Sequence, residues 1–137
     1  MNKFPRSAYV HIPFCHRRCF YCDFAVIPLG NKIDTLKGYG SKTVKDYLHF
    51  LYKEILSIKH KSPLSTLYLG GGTPSILDPK QVKELIDLFK KNYGFDYGAE
   101  ITMEVDPASF NQDDLYGFID AGINRFSLGV QSFNNQI

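Results

Sequence analysis

The chain has 137 residues, of which 44% are hydrophobic, 15% aromatic and 22% charged, with a formal net charge of +2 and three cysteines. That is one globular domain's worth of chain, able to bury about two-thirds of its unfolded surface, which excludes the disordered and disulfide-scaffold classes. No apolar run approaches the roughly 18–20 residues of a spanning helix, no signal-type stretch follows Met1, and the basic clusters (His16-Arg17-Arg18, Lys59-His60-Lys61, Lys90-Lys91) are short and scattered, so a cytoplasmic protein with no integral membrane segment and no nucleic-acid partner is expected.

Strand-like and helix-like segments alternate. Ser7 to Ile12 reads as a strand, rich in Tyr9, Val10 and Ile12 and stopped by Pro13. A loop carrying the cysteines then runs to about Tyr39. From Ser41 to Lys59, Val44, Leu48, Leu51, Ile55 and Ile58 recur at spacings of three and four, the stripe of an amphipathic helix. Thr66 to Leu69 reads as the second strand and runs into Gly70-Gly71-Gly72-Thr73-Pro74. The next helix opens with Asp78 as N-cap, Pro79 at the first helical position and Gln81 placed to reach back to the cap. Val82, Leu85, Ile86 and Phe89 form its buried face and Gly94 its stop.

The third strand, Glu100 to Val105, alternates: Ile101, Met103 and Val105 face one way, Thr102 and Glu104 the other. A third helix spans Gln112 to Ala121, with Asn111 as cap, Leu115, Phe118 and Ile119 as its apolar face and Gly122 as terminator. The fourth strand, Arg125 to Val130, sets Phe126, Leu128 and Val130 against Arg125, Ser127 and Gly129, with Gln131 continuing the second set. This order predicts an α/β fold with right-handed crossovers and a parallel sheet. In a (β/α) barrel the apolar strand face packs on the outer helices, leaving Glu104 and Gln131 pointing inward near the rim where barrels place ligands. A doubly wound sheet would bury the Glu104 carboxylate under helices, at a cost, so the barrel is the better reading.

All the cysteines fall between Cys15 and Cys22, as C-x-x-x-C-x-x-C. An odd count this tightly spaced is not a disulfide framework. Three clustered thiolates suit a soft metal centre. Zinc would need a fourth ligand, for which His11 or His16 is available, although both read more simply as packing or surface residues, and zinc usually takes two separated pairs. A [4Fe–4S] cluster on Cys15, Cys19 and Cys22 leaves one iron open to a small chelating ligand. The triple glycine permits close backbone approach to a ligand after a strand; without a following Gly-Lys-Ser/Thr it is not a Walker loop. Arg17 and Arg18 read as solvated, with docking of an acidic electron donor as the alternative. Asp106-Pro107 reads as a strand-exit turn.

The triplet, with Phe20-Tyr21 before its last cysteine, resembles the cluster motif of the radical S-adenosylmethionine (SAM) superfamily. That resemblance implies a full or partial (β/α) barrel, a [4Fe–4S] cluster and SAM, whose amino and carboxylate groups chelate the open iron. The strings Ala8 to Cys15, Gly70 to Pro74, Glu104 to Pro107 and Ser127 to Phe133 together resemble its porphyrin-related branch, the oxygen-independent coproporphyrinogen III oxidases and the HemW-type heme chaperones. The likeness runs from Tyr9 to Phe133 and implies SAM contacts at Tyr9, Tyr21, Gly71, Gly72, Thr73, Glu104 and Gln131. It also implies a heme or porphyrin ligand, with an acceptor hemoprotein and an electron donor as partners.

One departure bears on the branch. The oxidase pattern adds a cysteine two positions after the third, whereas Cys22 is followed by Asp23-Phe24. The short segment before the first strand points the same way, toward the chaperone, with coproporphyrinogen III oxidation as the alternative; whether the chain is an enzyme stays open. Because a full barrel takes about 250 residues, residues 1–137 are expected to be the N-terminal portion of one radical SAM core domain, truncated after the fourth strand, with an exposed sheet edge and poor solubility.

Overall fold

The computed structural model describes residues 4–30, 41–58, 62–134 and 136. Its elements in chain order are β1 (Ser7–Ile12), β2 (Phe14–Cys15), β3 (Ile27–Pro28), α1 (Lys42–Ser57), β4 (Leu64–Gly71), a 3-10 turn (Pro74–Ile76), α2 (Pro79–Asn92), β5 (Phe95–Val105), α3 (Gln112–Ala121) and β6 (Arg125–Leu128). The main sheet is wholly parallel, in the order β1-β4-β5-β6. Each long strand therefore pairs with the next one in the chain, and α2 packs on both α1 and α3. This is the singly wound arrangement of a barrel; a doubly wound sheet reverses its strand order part-way. The α/β expectation holds.

Helix starts follow local chemistry. Asp78 accepts from the Lys80 N–H at 2.7 Å while Gln81 Oε1 accepts from the Asp78 N–H at 3.0 Å, closing a capping box. Asn111 and Asp114 close a second. Gly94, at φ +78°, sits just past the end of α2, and its N–H reaches back to the Phe89 and Lys90 carbonyls. Val82, Leu85, Ile86 and Phe89 are buried as expected, as are Val44, Leu48 and Ile55 of α1. Ile58, expected on that stripe, instead caps the helix and is exposed, and Lys59 lies outside the described residues.

Several boundaries differ. β5 begins at Phe95, five residues before the expected start, because its register against β4 shifts between Leu64 and Thr66 and Gly98 at φ +74° absorbs the irregularity. In α3 the buried stripe is Asp114, Phe118 and Ala121; Leu115 is only half-buried and Ile119 is exposed. The buried line thus runs through Asp114, Phe118 and Ala121, and Ile119 lies outside it. β6 stops at Leu128, since Val130 N–H donates to the Leu128 carbonyl in a γ-turn that leads the chain out of the sheet. Leu128 and Val130 are 55% and 47% exposed, so they do not pack on a helix as the alternation suggested; Phe126 does reach the core.

The core lies between the sheet and the helices, where Val10, Ile12, Leu67, Leu69, Ile101, Met103 and Val105 are buried. The opposite sheet face carries polar and aromatic groups. Register aligns Tyr9, Tyr68, Thr102 and Arg125 across the four strands, with His11 opposite Gly70 and Glu104 opposite Ser127 closer to the C-terminal strand ends. Among the described residues no helix is long and apolar enough to cross a membrane. Replacing Asp78 by alanine is expected to cost about 1 kcal/mol and to lower the thermal midpoint by about 4 °C; an unchanged midpoint in a calorimetric scan would show that the capping box contributes nothing.

Candidate functional site

The cysteine loop is closed at its base by a feature that the sequence reading treated as plain loop. β2 pairs in parallel with β3, placing Phe14 beside Ile27 and Cys15 beside Pro28. Backbone bonds from Ile27 to the Pro13 carbonyl, Leu29 to Cys15 and Gly30 to His16 complete the clamp. The signal was faint: two residues after Pro13 and two before Leu29, both too short for a periodicity. Residues 31–40 of the expected loop lie outside the described residues. Within the loop, the Cys22 N–H donates to the Cys19 carbonyl at 3.1 Å, forming a turn, and Arg18 Nε donates to the Cys22 carbonyl at 3.2 Å. His11 spans the loop and the strand: its Nε2 donates to the Ala25 carbonyl at 3.0 Å, so its Nδ1 accepts from the Tyr9 hydroxyl at 3.0 Å.

The glycine run fits against this loop because it lacks side chains. A Cβ on Gly72 would lie 2.7 Å from the Phe14 carbonyl oxygen and 2.8 Å from Cys15 Sγ. Gly71 takes φ +120° and packs on the Ile12 backbone. The Gly72 and Thr73 N–H groups donate to the Ile12 and Phe14 carbonyls, each at 2.8 Å, and Thr73 Oγ1 donates to Cys15 Sγ at 3.4 Å. Burial raises the pKa of the Cys15 thiol. The Thr73 hydrogen bond opposes that rise, and Cys22, Cys19 and Asp106 add to it, so these groups stand within electrostatic reach of one another.

Glu104 is fixed across the sheet. Tyr68 donates to its Oε1 at 2.8 Å and the Gly71 N–H to its Oε2 at 3.1 Å. The bond to Glu104 is the main reason the Tyr68 phenol is raised above its usual pKa, with burial second. Tyr9 stacks on Tyr68, ring centroids 6.0 Å apart. Gly70 leaves the space in which these rings and the carboxylate close together, since a Cβ there would meet Tyr68 at 2.8 Å and Tyr9 at 2.9 Å.

A cleft of about 630 Å³ opens where these elements meet. Cys15, Cys19, Cys22, Tyr21, Gly71, Gly72, Thr73, Glu104 and Gln131 all line it, so the structure gathers nearly every residue singled out from the sequence. Tyr9 lines the adjoining groove between β1 and α1, with its ring against Tyr68 and beside Glu104 at the gap that Gly70 leaves. Gln131 arrives by the turn after β6 rather than by strand alternation, and its Nε2 lies over Gly129. Sequence reasoning passed over Phe24, Asp106 and Ser127 as lining groups. Ser127 was legible from its shared strand face with Arg125, whereas Phe24 and Asp106 are placed by loops. One wall is acidic, through Glu104 and Asp106, and the other carries His16, Arg17 and Arg18.

The donor set can be tested against a metal group. Among the described residues no three His, Cys, Asp or Glu side chains converge where a single ion would sit. Three free thiols line one cleft, and thiolates are the ligands of iron–sulfur clusters, so the donor set fits such a group.

The family model of the Radical SAM superfamily matches residues 9–137. The chain belongs to the radical SAM superfamily. Among relatives, this radical SAM chain is 42% identical over 134 residues to the heme chaperone HemW of Synechocystis, covering 97% of this chain and 32% of that protein. It is 40% identical over 139 residues to the oxygen-independent coproporphyrinogen III oxidase of Salmonella typhimurium, covering 97% and 28% respectively. The solved coproporphyrinogen III oxidase (HemN) of Escherichia coli, described as a radical SAM enzyme, superposes with a TM-score of 0.78 at 36% identity, covering 93% of this chain and 28% of that one. The radical SAM chain thus spans about a third of the length of the curated relatives it matches, and its singly wound parallel sheet is part of a TIM-like barrel.

The contact between Gly72 and Cys15 yields a test. In the metal-free protein, iodoacetamide should label exposed Cys19 before half-buried Cys15, and Gly72→Ala should force the loop away and speed Cys15 labelling severalfold. Peptide mass spectrometry showing an unaltered Cys15 rate in the variant would contradict the packing.

Proposed function

We propose that residues 1–137 form the N-terminal portion of a radical SAM core domain that holds a [4Fe–4S] cluster on Cys15, Cys19 and Cys22 and binds SAM in the adjoining cleft. Gly71, Gly72 and Thr73 offer a backbone that a ligand can approach closely, Glu104 a fixed carboxylate and Gln131 an amide. Tyr21, beside the cysteines, and Tyr9, stacked on Tyr68 next to Glu104, complete the proposed SAM contacts. When bound, the cluster supplies an open iron for the amino and carboxylate groups of SAM and, when reduced, the electron for cleaving it. The chain's own residues orient the ligand: Glu104, already ordered by two donors, offers a fixed negative charge to a ligand that carries a sulfonium, without further rearrangement. Three unpaired thiols suit a reducing compartment, so a cytoplasmic location is part of the proposal.

We further propose that the whole protein is a HemW-type heme chaperone, which binds heme and passes it to acceptor hemoproteins. The observation that carries this reading is Phe24. The oxidase pattern places a cysteine there, whereas here an aromatic ring, 67% exposed, lines the cleft. The alternative, oxidative decarboxylation of coproporphyrinogen III propionates, is supported by the similarity to the Salmonella and Escherichia oxidases. Heme titration of the reconstituted full-length protein, run beside an anaerobic coproporphyrinogen III turnover assay, separates the two. Stoichiometric heme binding without turnover is expected; turnover without stable heme binding would overturn the chaperone assignment.

A further inference from the structure

Ser75 and Ser109 are buried hydroxyls, 1% and 7% exposed, that the reading above leaves without a role. They join two loops that both reach the cleft: the segment after the glycine run, and the turn after β5. The Asp106 N–H donates to Ser75 Oγ at 3.1 Å, and Ser109 Oγ donates to the Asp106 carbonyl at 2.8 Å. The two hydroxyls are also hydrogen-bonded to each other. Because the single Ser109 proton is committed to that carbonyl, Ser75 must be the donor in the pair. The protons therefore run in one direction around a closed ring, from the Asp106 N–H to Ser75, to Ser109 and back to the Asp106 carbonyl. Each bond polarises the next, and no buried side-chain polar atom among the described residues lacks a partner.

The ring grips the peptide of Asp106, whose side chain lines the cleft. Its Oδ1 also accepts from the Ala108 N–H at 3.1 Å, so the backbone of Asp106 and one carboxylate oxygen are both held. Asp106 lines the same cleft as Cys15 and Tyr21 of the facing loop.

We propose that Ser75 and Ser109 are positioning residues for Asp106, which they hold as a fixed counter-charge to the sulfonium of SAM in the cleft. This rests on the SAM-binding reading. Glu104 is anchored by Tyr68 and Gly71, and Asp106 supplies a second, independently anchored carboxylate on the same wall.

The test is SAM affinity measured by equilibrium titration on the reconstituted protein, with iron content and thermal midpoint recorded alongside. Asp106→Asn keeps the Oδ1 acceptor and removes the charge. It should retain the iron content, weaken SAM about tenfold and flatten the salt dependence of binding. Ser75→Ala should weaken SAM similarly, and the double variant should bind no worse than Asp106→Asn alone, because Ser75 acts through Asp106. Unchanged SAM affinity in Asp106→Asn, or losses that simply add in the double variant, would overturn the proposal while leaving the SAM reading intact. An unaltered protein that assembles a cluster and binds no SAM would instead remove the reading on which the proposal rests.

Discussion

The site depends on the close approach of a side-chain-free backbone to the cysteine loop. Gly72 sits where a single added carbon would collide with the Phe14 carbonyl oxygen and Cys15 Sγ. That approach lets the Gly72 and Thr73 N–H groups bond the carbonyls of Ile12 and Phe14, and lets Thr73 reach the Cys15 sulfur. Gly71, in the same run, can then turn its N–H toward Glu104. The exits of β1, β4 and β5 are thereby locked together, and the thiols and carboxylates come to share one cleft.

The sheet's winding supplies the second constraint. With strands added in chain order and helices packed one on the next, the apolar strand residues are buried on the helix side. The polar alternates are left on the other face. There the carboxylate of Glu104 meets two donors before any ligand arrives, which spares a ligand the reorganisation that a mobile carboxylate would require. The ring of hydrogen bonds around the Asp106 peptide applies the same economy to the next loop.

Much of this was legible in the residues. Period-two alternation put Glu104 on the open face, the Asp78 and Asn111 caps located two helices, and the cysteine spacing marked the loop that lines the cleft. What escaped had physical reasons. β2 and β3 are too short to show a period, and they exist because the loop's ends are pulled together. Ile119 fits the apolar spacing of α3 yet is exposed, because the buried line of that helix runs through Asp114, Phe118 and Ala121. Gln131 was placed at the cleft by an alternation that stops at Leu128, so the position held while its cause changed to a γ-turn. Tyr9 stands on the open sheet face against Tyr68 and beside Glu104, where the β1 alternation puts it. Asp106 opens the strand-exit turn that Asp106-Pro107 suggested, its carbonyl accepting from the Ser109 N–H, whereas the bond from its own N–H to Ser75 needs the fold to bring the two segments together.

The central claim is that three thiols and an ordered acidic wall form one site for a cluster with an open iron and for SAM. Electron paramagnetic resonance of the anaerobically reconstituted, reduced protein tests it most directly. The account predicts a [4Fe–4S]⁺ signal whose g-values shift when SAM is added, and no such signal from Cys19→Ala. A spectrum indifferent to SAM, or a cluster that assembles fully without Cys19, would contradict it.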